Sequence, residues 1–434
     1  MSDKWSLKVN GTRDVIWGKN FLPESLLKLF FEHEKVLDQQ FATILEKDDD
    51  TLTDDEWAYI ESASSPRFAY STRVASLLER LRFLGFTPFS SRHTMASVLG
   101  SDEPNKTHGP FSVDGVTKNL SHLEFVNYAL AQCIAYKRVG ATLEPDVEDF
   151  LDWEYTEAHE SKDYNFLLAA ILSEFDGNDE CVLILDDLLS SGLVDPWRGS
   201  AFPNATGDLS APESLPIIVV CEGKFDANIL PRVLNLLIPD LAPYFRFWDM
   251  EGSKTAGGTD QVSKAVRAFA AAGIRNPVIA IFDNDAAGNV AQQRLIDAGQ
   301  QGLIPDYYHC LTLPNLDYLR EFPTLGPTGL SNADINGRGA SLEFYFGTST
   351  LRDDAGELIR AVWSSQVGKN GPWQASLPTS DKDVVQTRIR TLLAEAEGGG
   401  HLDPTVWGPL REFAEQLVST LQSPPDFPDE AVPS

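Results

Sequence analysis

The sequence predicts an α/β protein. A mostly parallel central sheet with flanking helices is expected over residues 213–346, preceded by a mainly helical domain over 1–212 and followed by a helical extension over 347–434. Three observations predict this. Two short runs, Pro216-Ile217-Ile218-Val219-Val220 and Pro277-Val278-Ile279-Ala280-Ile281, are rich in β-branched residues and carry no charge, the pattern of strands buried on both faces of a parallel sheet. Several stretches of the first half repeat apolar residues at three and four positions, the helical period. Between the halves, residues 192–215 are rich in Gly, Pro, Ser and Asn, as a linker is, which puts the boundary near residue 212.

Taken in order, residues 1–20 hold short Trp-, Val- and Ile-containing segments broken by Asn10-Gly11, a hairpin signal. Helical patterns are expected over 23–34, where Pro23 opens the first turn, and over 73–84, 122–138 and 164–175. The acidic residues 48–55 read as a loop or as the start of a helix near Glu56. After the second apolar half, the Pro- and acid-rich tail 423–434 reads as disordered. No repeat or low-complexity tract is present.

Chemistry concentrates where the two apolar runs end. Cys221-Glu222-Gly223-Lys224-Phe225-Asp226 follows the first and Phe282-Asp283-Asn284-Asp285 the second. Ligands of open α/β sheets bind outside the carboxyl ends of the strands, so Glu222, Asp226, Asp283 and Asp285 are expected to converge on one crevice. Carboxylates crowded together need a counter-charge. Oxygen ligands without a His or Cys pair nearby favour Mg²⁺ or Mn²⁺ over Zn²⁺.

A Glu-Gly after one strand and an Asp-x-Asp after a later one, here Glu222-Gly223 and Asp283-x-Asp285, resemble the hallmarks of the TOPRIM fold of primases, topoisomerases and several nucleases. The further acid in Glu-Gly-x-x-Asp, Asp226, is similar to the nuclease branch typified by the overcoming-lysogenization-defect enzymes. The stretch Phe322-Pro323-Thr324-Leu325-Gly326-Pro327-Thr328-Gly329-Leu330, with Asp334-Ile335-Asn336-Gly337, Ser341-Leu342-Glu343, Arg80-Leu81-Arg82-Phe83-Leu84-Gly85-Phe86-Thr87 and Asp249-Met250-Glu251-Gly252-Ser253-Lys254, resembles the bacterial HEPN/Toprim-associated proteins.

The resemblance implies a cytoplasmic, metal-dependent phosphodiesterase acting on DNA or RNA, a hydrolase of antiviral defence. Two cations about 4 Å apart activate water and stabilise the leaving oxygen in such chemistry. Glu222 is then a metal ligand or general base, Asp283 and Asp285 hold or bridge the cations, and Asp226 adds to the second site. Glu343 is a further candidate ligand, or a solvated acid ahead of Phe344-Tyr345-Phe346. Asp334 and Asn336 read as turn caps or as supports of the site. The usual HEPN ribonuclease mark, an Arg and a His separated by about four residues, is absent. The N-terminal domain is therefore expected to bind a defence partner, to form a homo-oligomer or to regulate.

The loop 251–259 carries Lys254, Gly257 and Gly258 ahead of an expected helix. It reads either as a phosphate cradle or as a connection with a capped helix. The Walker A order of Gly and Lys is missing, so no intrinsic ATPase is expected. A nucleotide- or nucleic-acid-binding sensor with little chemistry, and a structural interaction protein, are the alternatives to a nuclease.

Composition sets outer limits. The 434 residues are 42% apolar, enough for two or three cores. No run approaches the roughly 20 apolar residues that span a bilayer, so no membrane partner is expected. Cys133, Cys181, Cys221 and Cys310 are too scattered for a zinc site or disulfide framework. The net charge of −29, concentrated in residues 1–215, argues against indiscriminate coating of nucleic acid. Phosphates would be met locally, by residues such as Lys224, Lys254, Lys264 and Arg267.

Overall fold

The computed structural model describes residues 4–422 apart from 20–21, 46, 48–50, 62–65, 102–105, 114, 162–163, 192, 195–215, 249–256, 327–328 and 368–370. The chain divides into two compact units, Met1–Gly207 and Asp208–Ser434. The tail 423–434, Lys254 and most of the linker lie outside the described residues.

In the first unit the expected hairpin forms: β1 (Lys4–Val9) pairs antiparallel with β2 (Ile16–Lys19). Helices occupy Val74–Phe83, His122–Val139 and Asn165–Leu172. The second of these is bounded by a Ser121/Glu124 capping box and by Gly140 at φ 70°. The helix expected over 23–34 is interrupted. Only Glu24–Leu27 is α-helical, and a short 3₁₀ turn covers Glu32–Glu34. The cause is the consecutive apolar set Leu29, Phe30 and Phe31, all buried, which a single helical face cannot place on one side.

A reading as mainly helical leaves out this unit's central element, a five-stranded sheet in the order β2-β1-β7-β4-β3. The further strands are β3 (Lys35–Leu37), β4 (Phe68–Arg73) and β7 (Glu180–Ile184), with β5 (His108–Val113) and β6 (Val116–Leu120) forming a separate hairpin. β7 runs antiparallel to both β1 and β4. Arg80, fully buried, donates to Glu34 through both terminal nitrogens at 2.9 and 2.7 Å and to the Leu29 carbonyl at 2.7 Å. The motif-like segment beginning at Arg80 is thus anchored by an internal ion pair.

The second unit is built on a four-stranded sheet whose described pairings are all parallel: β8 (Ile217–Val220), β9 (Phe245–Phe247), β10 (Val278–Phe282) and β11 (Tyr308–Thr312). Its order is β11-β10-β8-β9, so the first strand in sequence lies between the second and the third. Helices Lys224–Leu237, Thr259–Ala271 and Ala286–Gln300 connect the strands. Every residue of β10 is buried. Val278, Ala280 and Phe282 pack with Val262, Val266, Ala291 and Leu295.

The segment 347–434 is more than a helical extension. β14 (Ala361–Gln366) runs parallel to β12 (Phe322–Gly326) and antiparallel to β15 (Trp373–Ser376), while β13 (Gly329–Ala333) completes this second sheet. Helices Thr379–Glu397 and Pro404–Gln422 follow.

Candidate active site

Because β8 lies beside β10, and β9 and β11 extend the sheet in opposite directions, the carboxyl ends of β8 and β10 flank the topological switch point, where open α/β sheets form their crevice. Glu222 leaves β8 there, and Asp283 and Asp285 leave β10. The two loops are tied together: the Asp283 backbone N–H donates to Glu222 Oε1 at 3.0 Å. Gly288, in the first turn of the following helix, permits the approach. A Cβ on it would lie 2.3 Å from the Asp283 carbonyl oxygen and 3.2 Å from both Asp285 Oδ1 and Glu222 Oε1.

The acids are held by distinct partners. Asp226 Oδ2 accepts from the Gly223 N–H at 2.9 Å at the start of its own helix. Asp283 Oδ1 accepts from the Leu342 N–H at 3.2 Å. Asp285 is the N-cap of the helix Ala286–Gln300: its Oδ1 accepts from the Gly288 N–H at 2.7 Å and its Oδ2 from Gln374 Nε2 at 2.6 Å. Between them Asn284, 6% exposed, is a clasp. Its side chain donates to Asn315 Oδ1 at 2.8 Å and accepts from the Gly337 N–H at 3.0 Å, and its backbone pairs with Ala340.

Glu343 joins this group and is not a solvated acid. It is 1% exposed, in the buried 3₁₀ turn Leu342–Phe346. Ser341 Oγ donates to Oε2 at 2.6 Å, Gln386 Nε2 to Oε1 at 2.7 Å, and Lys382 Nζ stands 3.1 Å from Oε1. Lys382, Gln374 and Gln386 all come from the C-terminal segment. Sequence reasoning missed Lys382 because Thr379-Ser380-Asp381-Lys382-Asp383 reads as an ordinary polar helix start, and Gln374 and Gln386 because neither lies near a motif.

Electrostatics follow from crowding. Desolvation pushes the Glu222 carboxyl up to about 8, with Asp285 adding to it, and Asp226 up to about 7, with Glu343 adding to it. Asp283 is driven well above the carboxylate range by desolvation and then by Asp226, Glu222, Glu343 and Asp285. Desolvation also raises Asp285, against the amide hydrogen bonds that hold it down. Burial pulls the Lys382 ammonium down, but Glu343, Asp283 and Asp226 outweigh it, so it stays charged. Cys221, 2% exposed, has its thiol raised by burial and then by Asp226, Asp283 and Glu222.

Among the described residues no group of three or more His, Cys, Asp or Glu side chains can hold a metal ion as placed. The site sets five carboxyl groups against one ammonium, that of Lys382, and this shortage of positive charge, with burial, is what raises Glu222, Asp226 and Asp283. Asp226 and Asp283 also border a cavity of ≈ 10 Å³, about the space of one water.

Of the loop 251–259, residues 257–259 are described. Gly258 has φ 109°, and its N–H donates to the Glu222 carbonyl at 2.7 Å. A Cβ on Gly257 would meet that same carbonyl at 2.9 Å. Both glycines thus serve the close approach of the loop to Glu222, and the Gly258 amide is already used. Asp334 and Asn336 form a turn, with Asp334 Oδ1 accepting from the Asn336 N–H at 3.0 Å, and Asn336 bridges to the Leu316 backbone. Lys264 and Arg267 are exposed on one helix, and Lys224 is exposed beside Gly223.

Among the described residues no helix is long and apolar enough to cross a membrane. Comparison of the chain with protein-family models, with curated proteins and with solved structures finds no match.

Proposed function

We propose that the second unit is a TOPRIM-like domain and that its acid crevice is the site of a Mg²⁺- or Mn²⁺-dependent phosphodiesterase acting on DNA or RNA. The observation that carries this reading is the meeting of Glu222, Asp226, Asp283, Asp285 and Glu343 at the switch point of a parallel sheet, with Lys382 as their cationic neighbour. The strand order with the first strand inside, and the presence of both Glu-Gly and Asp-x-Asp at adjacent strand ends, support it further.

Glu222, Asp283 and Asp285 would hold one cation, and Asp226 with Glu343 would help to hold a second. Bound there, two such ions supply a nucleophilic water and charge for the leaving oxygen. Glu222 would ligate through Oε2, since Oε1 accepts from the Asp283 N–H; without metal its carboxyl is raised to about 8, and the bound ion would displace that proton. Lys382 offers a persistent ammonium to a phosphate oxygen. Lys224, Lys264 and Arg267 meet the backbone locally, which suits a chain whose net charge is −29. By resemblance, the setting is a cytoplasmic antiviral defence effector whose N-terminal unit recognises a partner or forms a homo-oligomer.

One observation favours a second reading, a nucleotide- or nucleic-acid-binding sensor with little catalysis: the acids are not gathered at coordinating positions as placed. The experiment is a cleavage panel of plasmid, single-stranded DNA, total RNA and tRNA with Mg²⁺ or Mn²⁺, repeated with EDTA. The nuclease reading requires metal-dependent cutting that Glu222→Gln and Asp283→Ala abolish. Cutting in EDTA contradicts it, and saturable metal binding without any cutting selects the sensor.

A further inference from the structure

The first unit holds a cavity that the acid crevice does not explain. Its volume is ≈ 600 Å³, within the range of small-molecule sites. One wall is the edge strand β2, where Trp17 and Lys19 alternate outward while Ile16 and Gly18 turn in. Gly18 fixes that geometry, because a Cβ there would lie 2.6 Å from the Trp5 indole. The other walls are facing helix surfaces: Tyr136 and Lys137 on His122–Val139, and Glu148, Asp152 and Tyr155 on Pro145–Ser161.

The lining is divided by chemistry. Trp17 is left 45% exposed, with the ammonium groups of Lys4 and Lys19 at 5.4 and 5.3 Å from its ring. Lys137 lies 5.3 Å from the Tyr155 ring and 5.8 Å from the Tyr136 ring, and donates to the Asp14 carbonyl. Its ammonium is held below the ordinary lysine value by burial, and an anion beside it would offset that cost. A half-exposed indole, two ammonium groups and two carboxylates in one concave space match the three parts of a nucleotide. The base stacks, the phosphate pairs with cations, and ribose hydroxyls or an exocyclic amine donate to acids.

We propose that this pocket binds a nucleotide, with the base on Trp17, the phosphate between Lys19 and Lys137, and Glu148 and Asp152 accepting from the sugar or base. The site does not rest on the metal-dependent reading of the second unit. The ligand is either a free nucleotide or the end of a strand.

The test is calorimetric titration of the full chain, in EDTA, with AMP, GMP, UMP, adenosine, inorganic phosphate and a 5′-phosphorylated oligo(dA). Saturable binding of the nucleotides is expected, tighter than that of adenosine or phosphate alone. Trp17→Ala should weaken it about tenfold or more, the usual worth of one stacked base, and Lys19→Ala severalfold. Trp373→Ala, an equally exposed Trp of the other unit, should leave it unchanged. Tighter binding of the oligonucleotide, with the same loss in Trp17→Ala, assigns the pocket to a strand end; tighter AMP binding assigns it to the free nucleotide. No nucleotide binding at millimolar concentration, or binding that Trp17→Ala and Lys19→Ala leave intact, overturns the proposal.

Discussion

Gly288→Ala isolates the close approach on which the acid crevice depends. Ala is the better helix former by about 1 kcal/mol, so propensity alone predicts stabilisation of the helix Ala286–Gln300. Against this, the new methyl would sit 2.3 Å from the Asp283 carbonyl oxygen, a backbone atom that cannot rotate away, and 3.2 Å from two carboxylate oxygens. Overpacking of this kind costs about 1–3 kcal/mol, so the net expectation is a loss of up to about 2 kcal/mol. For a unit of this size that lowers Tm by up to about 8 °C. Gly299 is the internal control, since it lies in the same helix with nothing within 4 Å of its Cβ position. Gly299→Ala should be neutral or raise stability by up to about 1 kcal/mol. Thermal denaturation followed by circular dichroism reads both. If Gly288→Ala melts as high as Gly299→Ala, the loops do not approach as described and the crevice loses its geometric basis.

Further expectations follow from the same contacts. In EDTA, Glu222 carries a folded-state pKa of about 8 against an ordinary 4.5. Its protonated form is therefore favoured by folding, and that stability is full below pH about 4.5 and lost as pH rises through about 8. Melting curves across this window should fall for the wild type and flatten for Glu222→Gln, whose Tm at pH 8 equals or exceeds wild type; a steeper fall in the variant contradicts the crowding. Lys382→Met leaves Glu343 with Ser341 and Gln386 but no cation, a loss of about 1–3 kcal/mol in urea denaturation, and an unchanged midpoint refutes the pairing. His93, exposed and engaged only with Phe89 among the described contacts, should tolerate Ala with stability within about 0.5 kcal/mol and cleavage within a few-fold of wild type.

How much of this was legible depended on how local the determining contacts are. The runs ending at Val220 and Ile281 announced themselves because strands buried on both faces need uninterrupted apolar residues. The acids after them followed from strand-end logic. β4 and β7 did not announce themselves: Phe68-Ala69-Tyr70-Ser71-Thr72-Arg73 and Glu180-Cys181-Val182-Leu183-Ile184 are short, and part of each is polar. Only their pairing across more than a hundred residues makes them a sheet. Glu343 was ambiguous for the same reason, since its burial depends on Lys382 and Gln386, which a distant segment delivers. The loop 251–259 is legible only in part. Its glycines stand out in the sequence, and in the structure Gly257 and Gly258 lie against the Glu222 carbonyl, a contact across more than thirty residues that no local pattern shows.

The central claim is that the crevice acids are a cation site, and the most direct measurement is a calorimetric Mn²⁺ titration at pH 7 in buffers of differing ionisation enthalpy. The account predicts saturable binding accompanied by proton release, because Glu222 and Asp226, at about 8 and about 7, hold protons that a cation must displace. It further predicts loss of that binding in Asp283→Asn. Absence of saturable binding in the wild type, or an isotherm that Asp283→Asn leaves unchanged, would contradict it.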